Sequence, residues 1–216
     1  MFQFVLITVS CLALTNADIH VLFVPKSEEE LLSFLGLNKS DVNEGCIDAW
    51  EYVERCYQAT IEGEYHYPTQ LDIYNASGIL RAAGVLRNFS DCLGDSSCAA
   101  NSIPIYVVDA SIFIVENLFG DAYDCLSKSN IDGLYMSCAY QYNGTLSVDN
   151  LPHGFKEVSY CVADLLPCSH SDFLSFLAAV DAGVDLHNLW TNIESTLVEA
   201  IKNDVAYEAF DPEAYL

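Results

Sequence analysis

Nine cysteines in 216 residues constrain this chain more than any other feature. One of them, Cys11, lies in the opening stretch "MFQFVLITVSCLALTNA", residues 1–17, which carries no charged side chain and runs apolar from Phe4 to Leu14. Thr15 and Ala17 stand at the small-residue positions that a signal peptidase requires, so the stretch reads as a secretory signal. Its apolar core is too short for the roughly 20 residues that span a bilayer. Cleavage after Ala17 would remove Cys11 and leave Cys46, Cys56, Cys92, Cys98, Cys125, Cys138, Cys161 and Cys168. An even set behind a secretory signal implies a disulfide framework, because the extracellular side is oxidising and keeps no thiol pool.

Spacing limits how these sulfurs pair. In "CIDAWEYVERCYQA", Ile47, Trp50, Val53 and Tyr57 recur at the three-to-four spacing of one helix face, which predicts a helix over 46–60. Cys46 and Cys56 would then be about 15 Å apart along it, beyond the ~7 Å Cα limit of a bridge, and must bond to other elements. Cys92 and Cys98 lie in "RNFSDCLGDSSC" beside Asp91 and Asp95, where Gly94, Asp95 and the serines are turn chemistry after a helix end. They either join each other across that turn or staple it to two helices. Cys161 and Cys168 are two helical turns apart with Pro167 as a stop, and would staple one helix to a neighbour. Spacing leaves the connectivity open.

The rest of the chain reads as helix and turn. Residues 18–45 form an N-terminal arm: the run "DIHVLFVP", a short helix in "SEEELLSFLGL" with Ser27 and Glu30 as a capping box, and the polar "NKSDVNEG". The arm is either loosely docked or a propeptide. "EGEYHYPTQ" is a proline-bearing loop, and a helix beginning at Asn75 or Ser77 carries Ile79, Leu80, Ala83, Leu86 and Phe89 on one side. "SIPIYVVDASIFIVENLFGDAYDCL" is the most apolar stretch; Asp109 and Glu116 within it favour a buried core helix over a membrane span. Its β-branched start leaves a strand as the alternative. Toward the end, "SHSDFLSFLAAVDAG" and "DLHNLWTNIESTLVEAI" suggest two amphipathic helices separated at Gly183. The expected architecture is all-α: one disulfide-stapled bundle of about five to seven helices over 46–202, followed over 203–216 by an acidic and aromatic stretch that is a tail or a fraying end.

Charge narrows the function. With 31 acidic against 8 basic residues the net charge is −23, which opposes binding to nucleic acid and to anionic membranes. Strong acidity alone would suggest disorder, but 52% apolar residues provide a core. Sequons at Asn38, Asn75, Asn88 and Asn143 mark candidate glycosylation sites. The histidines His20, His66, His153, His170 and His187 do not pair at ligand spacing, and no Cys-x2-Cys occurs, so no metal or cofactor is expected. No Gly-x-Ser-x-Gly elbow and no His-Glu-x-x-His helix is present. A hydrolase would have to use paired carboxylates converging in a cleft. The reading that remains is an extracellular module binding a protein partner, with a carrier of a small hydrophobic ligand as the alternative, since 13 Tyr, 11 Phe and 2 Trp suit either an interface or an apolar cavity.

The opening pair in "CIDAWEYVERC", the close pair in "FSDCLGDSSC", the later single cysteines and the tryptophan-bearing "LHNLWTNIE" together resemble a secreted eight-cysteine helical domain expanded in nematodes. The resemblance covers about residues 46–200. It implies a helical, secreted, disulfide-bonded fold and offers no catalytic residues to carry over.

Overall fold

Apolar side chains on every side of one segment decide where the centre of the fold lies. The computed structural model describes residues 28–46, 49–62, 76–94, 96–142 and 151–216. The expected signal, the run before Ser27, Ser27 itself, Ile47 of the predicted helix face, the proline loop after Glu62, Asp95 and the sequon asparagines Asn75 and Asn143 lie outside them. Among the described residues there are nine α-helices and no strand: α1 Glu28–Phe34, α2 Ala49–Tyr57, α3 Ala76–Leu93, α4 Ser102–Val115, α5 Tyr123–Leu126, α6 Ile131–Gln141, α7 Leu151–Leu165, α8 His170–Thr191 and α9 Ile193–Asn203. The chain is all-α, with more helices than the five to seven expected.

The central segment is α4. Ile103, Tyr106, Val108, Ala110, Ile112, Ile114 and Val115 are all buried, a pattern that only a helix walled in by neighbours can satisfy. Pro104 sits in its first turn, where a missing N–H costs no intrahelical bond. Its β-branched residues are therefore helical, because packing overrides their strand preference. α3 and α8 flank α4, and a π turn over Glu116–Asp121 continues it toward α5. The stretch Ala99–Asp121 is long and apolar enough to cross a membrane, and here it is the core helix.

α8 runs unbroken through Gly183, where a separation was expected. A mid-helix glycine costs about 1 kcal/mol. The burial of Phe176, Ala178, Ala179, Val180, Ala182, Leu186 and Leu189 along α8 outweighs that cost. The break comes instead at Asn192, whose Nδ2 donates to the Asn188 carbonyl at 2.8 Å and whose backbone leaves the helical region at φ −117° and ψ 11°. At the other end Ser169 and Asp172 exchange side-chain and backbone bonds as a capping box.

Four disulfides join Cys46 to Cys98, Cys56 to Cys92, Cys125 to Cys168 and Cys138 to Cys161. They form two nested pairs. Cys56–Cys92 binds α2 to α3, and Cys46–Cys98 closes the same antiparallel hairpin further out. Cys138–Cys161 binds α6 to α7, and Cys125–Cys168 closes that hairpin from α5 to the connector before α8. Cys46 belongs to a 3-10 turn over Glu44–Cys46, not to the helix of Cys56, and α2 gives way to a π turn over Gln58–Glu62. Likewise α7 stops at Leu165, so Cys161 and Cys168 staple to two different partners.

The described part of the N-terminal arm is docked. α1 ends in a Schellman motif: Leu37 N–H reaches the Leu32 carbonyl at 2.8 Å and Gly36 N–H the Ser33 carbonyl at 3.3 Å, with Gly36 at φ +65°. Leu32 and Leu37, the apolar pair of that motif, enter a second core cluster with Cys46, Cys98, Ile103, Ile193, Leu197 and Ile201. Asn43 N–H also bonds to the Ile201 carbonyl at 3.2 Å, tying the arm to α9.

Candidate functional site

α7 and α8 each present a polar pair four residues apart, and the pairs face one another. Lys156 and Tyr160 project from α7, Asp181 and Asp185 from α8. Lys156 Nζ stands 2.9 Å from Asp181 Oδ1, an ion pair whose alignment falls short of a hydrogen bond at that oxygen. The Tyr160 hydroxyl donates to Asp181 Oδ2 at 2.8 Å. Lys156 also lies 5.5 Å from the centre of the Tyr160 ring. Contact with Asp181 holds the ammonium above its ordinary value, despite an opposing effect of burial.

The strip continues onto the chain end. The Tyr215 hydroxyl donates to Asp185 Oδ2 at 2.8 Å. Burial, and then the hydrogen bond with Asp185, push the Tyr215 phenol far above its usual range; burial also raises Tyr106. All these phenols stay protonated at neutral pH. Chemically the strip pairs charges and anchors elements, and it lacks a nucleophile in a reactive state.

A second cluster lies between α3 and α4. Buried Ser90 donates its hydroxyl to Asp109 Oδ1 at 2.7 Å, and burial raises the Asp109 carboxyl against that hydrogen bond. Arg87 pairs with Glu116 at 2.8 Å nearby, both about half exposed. Asp109 and Glu116, two of the four acids in the apolar stretch, thus each have a partner on α3.

The eight framework cysteines are distributed over four bridges, and Cys92 and Cys98 do not bond to each other. Among the described residues no group of three or more His, Cys, Asp or Glu is placed to hold a metal. His170 stacks on Phe173 with ring centres 6.1 Å apart. Asn38 is exposed at the start of a 3-10 turn, where its Nδ2 donates to Asp41 Oδ2 at 3.3 Å. Asn88 is exposed in the middle of α3, and its sequon partner Ser90 is the buried donor to Asp109.

Two features escaped the sequence reading. Met136 and Tyr140 are exposed at 44% and 83%, four residues apart on one face of α6; that spacing was the available signal. The final residues, expected to form a tail or fraying end, are docked on the bundle through Tyr207, Phe210 and Tyr215. Their aromatic spacing was visible, but their acidity drew the opposite reading. No family model, curated protein or solved structure matches the chain.

Proposed function

We propose that this chain is a secreted, glycosylated binding module that engages an extracellular protein partner. The observation that carries the reading is the pairing of Cys46, Cys56, Cys92, Cys98, Cys125, Cys138, Cys161 and Cys168 into four bridges, each joining two different elements. Such a framework persists where no thiol pool reduces it. A rigid scaffold also lowers the ordering cost of binding, because its surface is already fixed. Met136, Tyr140, Leu165 and Leu174 supply exposed apolar contacts, and the acidic surface suits a cationic partner.

Asn38 and Asn88 expose their side chains as glycan acceptors. Attachment at Asn88 precedes the packing of α3, because in the folded chain the Ser90 hydroxyl is committed to Asp109.

The test expresses the full sequence in a secretory host and offers the purified product to a panel of extracellular proteins. Saturable binding to a protein, lost when that protein is digested, is the expected result. Release of a stoichiometric apolar small molecule in native mass spectrometry, with no protein bound, would replace this reading with the carrier. Retention inside the cell with free thiols would refute both.

A further inference from the structure

The last thirteen residues lie on α4 and α8 as a strap. Asp204 takes a left-handed conformation, φ 54° and ψ 43°, and turns the chain back after α9. Tyr207 N–H then donates to Ser102 Oγ at 2.7 Å. Tyr106 and Phe113, two turns apart on α4, receive the rings: Tyr207 and Phe210 pack against Tyr106 at 5.0 and 5.6 Å, and Phe210 and Tyr215 against Phe113 at 5.4 and 5.7 Å. The Tyr215 hydroxyl reaches Asp185. The residues between these anchors, Glu208, Asp211 and Glu213 among them, are exposed.

The strap and its seat carry carboxylates of the same charge. Burial is the main cause that holds the Tyr106 and Tyr207 phenols protonated, and Asp185 on α8 and Glu208 on the strap add to it at both rings. The strap therefore places Glu208 around the same phenols as Asp185, on a chain of net charge −23. Its ring contacts and the Tyr215–Asp185 hydrogen bond are favourable, and the like charge of Glu208 and Asp185 opposes them. Tethering compensates, since a segment joined to its site by a short turn has an effective concentration on the order of millimolar.

We propose that the face formed by Tyr106, Phe113 and Asp185 is an interaction surface that the chain covers with its own C-terminal segment. The partner that fits it is an extended protein segment with the aromatic spacing of Tyr207, Phe210 and Tyr215, and with basic residues where the strap carries Glu208, Asp211 and Glu213. The inference rests on the binding-module reading and assigns that module its surface. Basic residues would meet Asp185 favourably and steer the encounter with an acidic protein, so the partner gains what the strap lacks.

The experiment uses the full-length chain throughout. Tyr207→Ala, Phe210→Ala and Tyr215→Ala together give the open form; the unaltered chain is the closed one. The probes are a labelled peptide of residues 204–216 and its Glu208→Lys, Asp211→Lys, Glu213→Lys counterpart. The open form binds both, and the basic peptide binds about tenfold tighter or more at low salt, a gap that added salt narrows. The closed form binds the basic peptide about tenfold more weakly than the open form does.

Absence of binding by an open form that keeps its helical circular dichroism and four bridges overturns the proposal, and so do equal affinities for the two peptides. Should the open form fail to fold, hydrogen exchange on the unaltered chain decides. Basic peptide at about millimolar concentration must accelerate exchange of the Tyr207 amide, and an unchanged rate overturns the proposal. Failed peptide binding in a chain that still captures an extracellular protein refutes this surface alone. Failure to bind any protein refutes the module reading itself.

Discussion

The nested bridges make a quantitative prediction about how disulfides share their stabilisation. In the chain-entropy account a bridge stabilises by closing a loop in the unfolded chain, and the gain grows with the logarithm of loop length. Cys46–Cys98 spans 52 residues and Cys56–Cys92 spans 36 within them. With the inner bridge intact, the loop closed by the outer one shrinks to 16 residues, the 52 less the 36. The outer bridge then contributes about 3 kcal/mol, against about 4 kcal/mol when the inner one is absent. The test measures urea unfolding of four proteins: unaltered, Cys46→Ala/Cys98→Ala, Cys56→Ala/Cys92→Ala, and all four substitutions combined. Loss of buried sulfur is common to both backgrounds and cancels in the cycle. Removing the outer bridge should cost about 1 kcal/mol more in the background lacking the inner one. A coupling of zero or of opposite sign would refute the nested topology or the loop-entropy account of it.

Three further outcomes follow from single side chains. Burial pushes the Tyr135 phenol up to about 12, offset in part by its hydrogen bond with Ser159 at 2.9 Å. The folded state therefore holds that proton more tightly than the unfolded chain. Stability should be full below pH about 10 and fall by up to about 1.4 kcal/mol per pH unit toward pH 12, and Tyr135→Phe should remove one proton from that slope in alkaline denaturation. Phe176 is 1% exposed, so Phe176→Ala should cost about 3 to 5 kcal/mol in chemical unfolding. A Cβ at Gly36 meets no atom within 4 Å but inherits φ +65°, so Gly36→Ala should destabilise by about 1 kcal/mol through backbone strain alone. Faster hydrogen exchange at the Leu37 amide should accompany it.

How much of this was legible in the sequence differs element by element. Val53, Phe89 and Leu197 carried the helical periodicity of the faces they bury, and the all-α architecture followed from such spacing. Gly183 misled because local propensity was weighed without the core contacts that hold α8 together on both sides of it. Asn192, which does end that helix, carries only a polar side chain as its signal. Cys46 sits in the same periodic stretch as Cys56, yet the described chain is a 3-10 turn there, a local tightening that hydrophobic spacing does not encode. Which sulfurs pair depends on which helices neighbour one another in space, so Cys92 and Cys98 could not be assigned until α2 and α3 were placed. The strap was hidden for a related reason: its acidity suggested solvent exposure, while Tyr106 and Phe113, which receive its rings, lie about a hundred residues upstream.

The central claim is that the nested framework defines an extracellular scaffold, and peptide mapping of the secreted, unreduced protein tests it most directly. The account predicts four cross-linked peptide pairs, Cys46 with Cys98, Cys56 with Cys92, Cys125 with Cys168 and Cys138 with Cys161, and no alkylatable thiol at these positions. Recovery of Cys92 bonded to Cys98, or of free thiols at any of the eight, would contradict it.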